Sequence, residues 1–172
     1  VEIRDARDED VPAITAIYND AVENTTAIWN ERTVDEADRR RWLAERTGAG
    51  FPVVVADGEP GAPILGYATY AQWRPFDGYR HTVEHSVYVA EGGRGRGTGR
   101  ALMEALVERA RRGGIHAMIA GVDAENAASM ALHEKLGFRA VGRLDQVGSK
   151  FGRWLDLAFL QLTLDSEPRP PR

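Results

Sequence analysis

The sequence predicts a single α/β domain built on one mixed sheet with helices packed against it. Three observations carry this prediction. Apolar residues switch between helical and strand periodicity in the order β-α-α-β-β-β-α-β-α-β-β. No repeat or linker divides the chain, and its 172 residues suffice for one core rather than two. A glycine-rich loop joins a strongly β-forming strand to an amphipathic helix, as in layered α/β folds.

The elements follow in order. EIRDAR (2–7) fits a short strand. From Asp8, a candidate N-cap, residues Val11, Ile14, Ile17, Tyr18, Ala21 and Val22 recur at helical spacing. A second helix is expected from Thr33 to about Arg46, with Trp42 and Leu43 inward, stopping at the Gly48–Gly50 cluster. PVVVA (52–56) and ILGYATYAQW (64–73) read as strands of a hairpin joined by the turn-rich DGEPGAP. HTVEHSVYV (81–89) is an alternating strand. After the glycine loop, Leu102, Met103, Leu106, Val107 and Ala110 form one helix face. Gly113-Gly114 ends that helix, and Arg109, Arg111 and Arg112 suit its negative end. IHAMIAGV (115–122) is almost continuously apolar, as a strand buried on both faces would be. A short helix over Asn126–Leu136 closes at Gly137, and FRAVGRLDQVG (138–148) and RWLDLAFLQLTL (153–164) form the last two strands. The domain is expected to span 1–164, with the proline-rich, polar 165–172 as a disordered tail.

Composition narrows the function classes. The net charge of −4 argues against a general nucleic-acid binder. With no cysteine in the chain, disulfides, thiolate metal sites and a cysteine acyl intermediate are excluded, and no metal is expected. No N-terminal apolar run resembles a signal peptide and no stretch approaches a membrane span, so no membrane partner and a cytoplasmic protein are the expectation.

The segment EGGRGRGTGRALM (91–103) poses the functional question. It sits between strand and helix, where unpaired backbone N–H groups and the positive end of a helix dipole suit phosphate. A nucleotide P-loop needs Lys-Ser/Thr after its last glycine, and Thr98-Gly99 follows Gly97 instead. A dinucleotide fingerprint needs G-x-G-x-x-G, and no register supplies the last glycine. Arg94-Gly95-Arg96-Gly97-Thr98-Gly99 does fit [QR]-x-x-G-x-[GA], the pyrophosphate loop of the GNAT superfamily of N-acetyltransferases. Downstream, Asn126-Ala-Ala-Ser129-Met-Ala-Leu-His133-Glu-Lys-Leu136-Gly137-Phe138 resembles the same superfamily's N-x-x-[AS]-x-x-x-Y-x-x-x-G-F segment. Within the superfamily, YNDAVENTTAIWN (18–30), WRPFDGYRHTVEHSVYV (73–89) and KFGRWLDLAFLQLTLD (150–165) resemble the phosphinothricin and methionine sulfoximine N-acetyltransferase group.

The resemblance covers about residues 2–164. It implies a GNAT fold, with a central mixed, mostly antiparallel sheet and flanking helices, and a homodimer. It also implies acetyl transfer from acetyl-CoA to the α-amine of a small amino-acid analogue. Gly95 through Arg100 (Gly95, Arg96, Gly97, Thr98, Gly99, Arg100) are expected to wrap the pyrophosphate, with charge added by Arg94 and Arg96. The Val87-Tyr88-Val89 backbone is expected to pair with the pantetheine amides as an added strand. Asn126 would bind the pantetheine arm, with Lys135 near the cofactor.

Amine acetylation needs a base, because an α-ammonium is mostly protonated at neutral pH. Glu84 is the candidate: a carboxylate mid-strand among Val83, Val87 and Val89 is expected to be partly desolvated, and the resemblance implies a base acting directly or through water. Without the resemblance the residue reads as a solvent-facing glutamate on an alternating strand. His133 stands where many GNAT enzymes carry a tyrosine acid. It either donates a proton, orients water or the cofactor sulfur, or satisfies a local hydrogen bond on its helix. For the acceptor, Arg74 is the expected carboxylate or phosphinate partner, with Pro75, Phe76 and Tyr79 on its loop and His85 and Ser86 beside the base. Trp29 and the KFGRW segment (150–154) either complete the acceptor pocket, in one arrangement across a dimer interface, or, as expected first for Trp29 and Trp154, serve in core packing or a dimer contact. Two other readings stay open: a GNAT enzyme acting on protein N-termini or lysines, and a non-catalytic acyl-CoA sensor.

Overall fold

The computed structural model describes residues 1–171; Arg172, the end of the expected tail, lies outside the described residues. Seven strands form one sheet: β1 (Ile3–Asp5), β2 (Val53–Ala56), β3 (Gly66–Gln72), β4 (Thr82–Val89), β5 (Ala117–Asp123), β6 (Arg139–Lys150) and β7 (Arg153–Thr163). Their spatial order is β1-β2-β3-β4-β5-β7-β6. Every pairing is antiparallel except β4 with β5, which are joined by a helical crossover, as a parallel pair requires.

Helices α1 (Val11–Asn24) and α2 (Glu36–Gly48) cover one face of the sheet, and α3 (Thr98–Arg112) and α4 (Ala127–Lys135) the other. Strand alternation divides the side chains between the two layers. Val53, Val55 and Tyr67 pack under α1 and α2, while Val54, Ala68, Val83 and Met118 pack with α3. The predicted face of α3 is the centre of that second layer: Leu102, Met103 and Leu106 are completely buried. Each contributes roughly 1.5–3 kcal/mol of burial energy.

Two boundaries differ from expectation. Asp8 does not cap α1, because a single 3-10 turn (Asp8–Asp10) intervenes and Pro12 lies in the first helical turn. Asp10 is instead drawn to the Arg4 guanidinium at 2.8 Å and to the Arg7 N–H at 2.8 Å. The second helix starts at Glu36 rather than Thr33, since Asp35 accepts from the Asp38 N–H and fixes the start there. β5 is buried at six of its seven positions; the exception is Gly121. Residues 165–171 form no helix or strand. Among the described residues no helix is long and apolar enough to cross a membrane.

The sheet opens between β4 and β5. Their pairing runs only from Thr82–Ala117 to Glu84–Ile119, although β4 continues to Val89 and β5 to Asp123. Beyond Glu84 the two parallel strands part. The β5-facing edge of β4 is left without a strand neighbour, and a cleft forms in the middle of the sheet.

Candidate active site

Two cavities meet in this cleft. The larger, about 540 Å³, runs from the glycine loop along Val87, Tyr88 and Val89 to the start of α4. The smaller, about 290 Å³, contains Glu84, His85, Ser86, Trp29 and Gly121. Ala27, Val87, Tyr88, Asn126 and Ser129 line both and mark the junction.

The larger cavity has the features of a phosphate cradle. Gly95 and Gly97 adopt φ of +71° and +80°, left-handed values that side-chain-bearing residues rarely take. Gly97 is also the N-cap of α3, so the loop delivers the first helical N–H groups to the cavity. Thr98 is buried there with its hydroxyl oxygen unpartnered, a polar group left for a ligand to satisfy. Arg94 and Arg100 line the cavity, Arg94 held 3.1 Å from Asp20 and Arg100 2.7 Å from Glu104. Arg96 does not line it and bonds the Gly92 carbonyl at 3.3 Å. Asn126 caps α4 by accepting from the Ser129 N–H at 3.0 Å, and its side chain stands at the junction. Lys135 is exposed at the far end of α4, outside the lining of both cavities. Glycines, an orphaned hydroxyl and an open strand edge together fit a cofactor with a pyrophosphate and an amide-bearing arm.

In the smaller cavity, Glu84 points to the α1 side of β4. Its carboxylate packs against Gly121, where an added Cβ would stand 3.0 Å from Oε1. The only exposed position of β5 is therefore the one that must leave room for the carboxylate. Glu84 accepts no hydrogen bond from the described residues, and burial raises its pKa, partly offset by the charge of Arg74. No Lys or Arg lines this cavity, while Asp123 adds a second carboxylate.

His85 projects from the opposite side of β4 and stacks on His133, with ring centroids 4.9 Å apart. His133 Nδ1 lies 2.7 Å from the Ser129 carbonyl, which can only accept, so that nitrogen carries the proton. His133 Nε2 then accepts from His85 Nε2 at 3.0 Å. Burial holds His133 below its usual range and His85 down at about 3, so both rings are neutral near pH 7. His133 thus has no free N–H to offer the cavity. Of the readings open for His133, this geometry supports the local hydrogen bond on its helix.

The acceptor loop is placed less directly. His85 and Ser86 line the Glu84 cavity, but Arg74, Pro75, Phe76 and Tyr79 do not. Arg74 and Tyr79 line a neighbouring depression of about 420 Å³ with Trp73, Thr82, Ile119 and Phe159. Strand alternation puts Thr82 on the same face as Glu84 and Ile119 on the same face as Gly121, so the two hollows adjoin along one face. Arg74 stacks over Trp73 at 5.0 Å, Tyr79 meets Trp73 edge-on, and Gln72 ties the loop through the Arg74 and Phe76 carbonyls. Pro75 and Phe76 are exposed. Of the two readings for Trp29, pocket or packing, its place in the lining of the Glu84 cavity supports the first, and it rests on Gly148; Trp154 is exposed. Sequence reasoning missed Gly121 and Asp123, and named Lys150 only within the KFGRW segment. Only the glycine within an otherwise apolar strand gave any signal.

Comparison with known proteins accords with this geometry. The profile of the Acetyltransferase (GNAT) family matches residues 14–138. The chain belongs to the GNAT acetyltransferase family. An L-methionine sulfoximine/L-methionine sulfone acetyltransferase of Pseudomonas aeruginosa PAO1 is 56% identical, over 98% of each chain. A ribosomal-protein-alanine N-acetyltransferase from Brucella melitensis superposes with a TM-score of 0.93 at 55% identity, covering 95% of this chain and 100% of that one. A phosphinothricin acetyltransferase of Sinorhizobium meliloti in complex with AcCoA gives 0.94 at 38% identity, over 99% and 92%. This GNAT chain is therefore an N-acetyltransferase with acetyl-CoA as its cofactor. The glycine loop and the open edge of β4 are its fitting residues.

Proposed function

We propose that this enzyme acetylates the α-amine of a small amino-acid analogue of the methionine sulfoximine, methionine sulfone or phosphinothricin type. Glu84 is the base, acting directly or through one water. The observation that carries this reading is the Glu84 carboxylate itself: half-buried, unpaired, raised in pKa, and facing a cavity of small-molecule size beside the cofactor groove.

The chemistry follows from the surroundings. Acetyl-CoA supplies the activated acyl group when bound. Glu84 and Asp123, with no cation beside them in the lining, favour entry of an ammonium. A carboxylate raised toward neutrality takes a proton from that ammonium more readily than an ordinary surface glutamate. Arg74 stands at the adjoining hollow, where its fork suits the carboxylate or phosphinate of the same acceptor. The α4 N-terminus at the junction adds partial positive charge where the acyl group changes hands.

The name of the Brucella structure supports a second reading, acetylation of a protein N-terminus. A polypeptide needs an open groove, and the roof formed by residues 26–29 over the Glu84 cavity disfavours it. We further propose a homodimer. Exposed Val141, Leu144, Val147, Phe151 and Trp154 on the β6–β7 hairpin, together with Phe76, support it.

Replacing Glu84 by Gln tests the base. Turnover is expected to fall about 10²- to 10⁴-fold, with acetyl-CoA binding measured by calorimetry unchanged. A variant that turns over like the wild type would remove Glu84 from the mechanism.

A further inference from the structure

The roof of the Glu84 cavity is the turn after α1, and a lysine from the far edge of the sheet holds it. Thr26, Ala27, Ile28 and Trp29 all line the cavity. Lys150, the last residue of β6, is 1% exposed, and its ammonium reaches across to three backbone carbonyls. Nζ donates to Ile28 at 2.5 Å, to Thr25 at 2.6 Å and to Ala21 at 3.4 Å. No carboxylate forms an ion pair with it among the described residues. The charge is met by carbonyl dipoles at the C-terminal, negative end of α1, where a cation is favoured.

The hairpin is shaped for this contact. Between Leu144–Leu157 and Gly148–Leu155 the register slips, leaving extra residues on β6, and the bulge is pinned by Asp156 accepting from Gln146 N–H at 2.7 Å and from Arg143. Bulges of this kind bend a strand and re-aim its side chains. Past the bulge, Gly148 lies against the Trp29 ring so closely that an added Cβ would come within 2.2 Å of it. Trp29 Nε1 donates back to the Thr26 carbonyl at 2.9 Å. On the other side, the Thr26 hydroxyl donates a short bond to Asp123 on β5. The turn is thus fixed from β5 and, through Lys150 and Gly148, from β6.

We propose that Lys150 is a positioning residue for acetyl transfer: by binding the Thr25 and Ile28 carbonyls it sets the roof turn and holds Trp29 as the wall of the acceptor cavity. This rests on the Glu84 cavity being the acceptor site. Trp29 lines only that cavity, so displacing its ring acts on acceptor recognition, whereas Thr25 and Ala27 of the same turn also line the cofactor groove. Gly148 is part of the same device, since it leaves the space the indole occupies.

Two variants test this. Lys150→Met keeps length and removes the ammonium; Gly148→Ala leaves Lys150 in place and displaces Trp29. Each is expected to raise the KM for methionine sulfoximine about tenfold or more, through loss of acceptor positioning, and in Gly148→Ala, which acts through Trp29 alone, the acetyl-CoA Kd changes far less. Amide exchange across residues 25–29 is expected to quicken in Lys150→Met. An unchanged acceptor KM in either folded variant, or an acetyl-CoA Kd that rises as much as the acceptor KM in Gly148→Ala, would overturn the proposal. Should Lys150→Met not fold, Gly148→Ala decides by the same criteria. If the wild type accepts no amine, the acceptor reading fails instead, and the exchange of residues 25–29 still judges the role of Lys150.

Discussion

For Glu84, the proposed base, two demands meet: the carboxylate must be desolvated enough to hold a proton, and free enough to exchange it. The protein meets both by giving the side chain no hydrogen-bond partner and by leaving β5 without a side chain at Gly121. The sign of the pH effect follows. A carboxyl raised in the folded enzyme loses its proton at higher pH, so the acidic limb of kcat/KM lies above the ordinary glutamate value of 4.5. Glu84→Gln is expected to abolish that limb, and its persistence in the variant would assign it to another group. Glu84 was legible through the resemblance that marks its strand; alternation alone reads it as solvent-facing, since Val83, Val87 and Val89 pack on the opposite face with α3. Lys150 was legible only as part of the KFGRW segment, with no role of its own. Its burial depends on α1, whose end lies more than a hundred residues away in sequence.

Among elements, the parted strands β4 and β5 matter most. Periodicity located both, yet no local signal says that two parallel strands stop pairing after three residues, because register is a property of the pair. The glycine loop was readable for the opposite reason: its constraints are local, in left-handed glycines and a helix N-terminus. In α4, His133 occupies the motif's tyrosine position while its Nδ1 faces the Ser129 carbonyl, a contact that the motif alone does not show. The buried pair has a thermodynamic consequence. His85 binds a proton only near pH 3 when folded but near 6.5 when unfolded, so stability is full above 6.5 and is lost as pH falls toward 3. The loss is expected at roughly 1 kcal/mol per pH unit from this group. Urea denaturation between pH 7 and 5 should show a shallower dependence in His85→Gln, and identical slopes would mean that His85 does not stay neutral.

For the whole molecule, element order and the two-layer division of side chains followed from periodicity, while the sheet order with β7 between β5 and β6 did not. The edge strand β6 is exposed along nearly its whole length, with apolar side chains facing solvent. An edge of this kind is normally covered. The dimer proposed above accounts for it, and light scattering is expected to give twice the 19.0 kDa of one chain. A mass of one chain would leave that face unexplained and count against the dimer. The central claim is tested most directly by thiol release from acetyl-CoA across an amine panel. The panel holds methionine sulfoximine, methionine sulfone, phosphinothricin, ordinary amino acids, polyamines and an N-terminal peptide. The expected result is a kcat/KM concentrated on the three tetrahedral analogues, and turnover of the peptide or polyamines alone would contradict it.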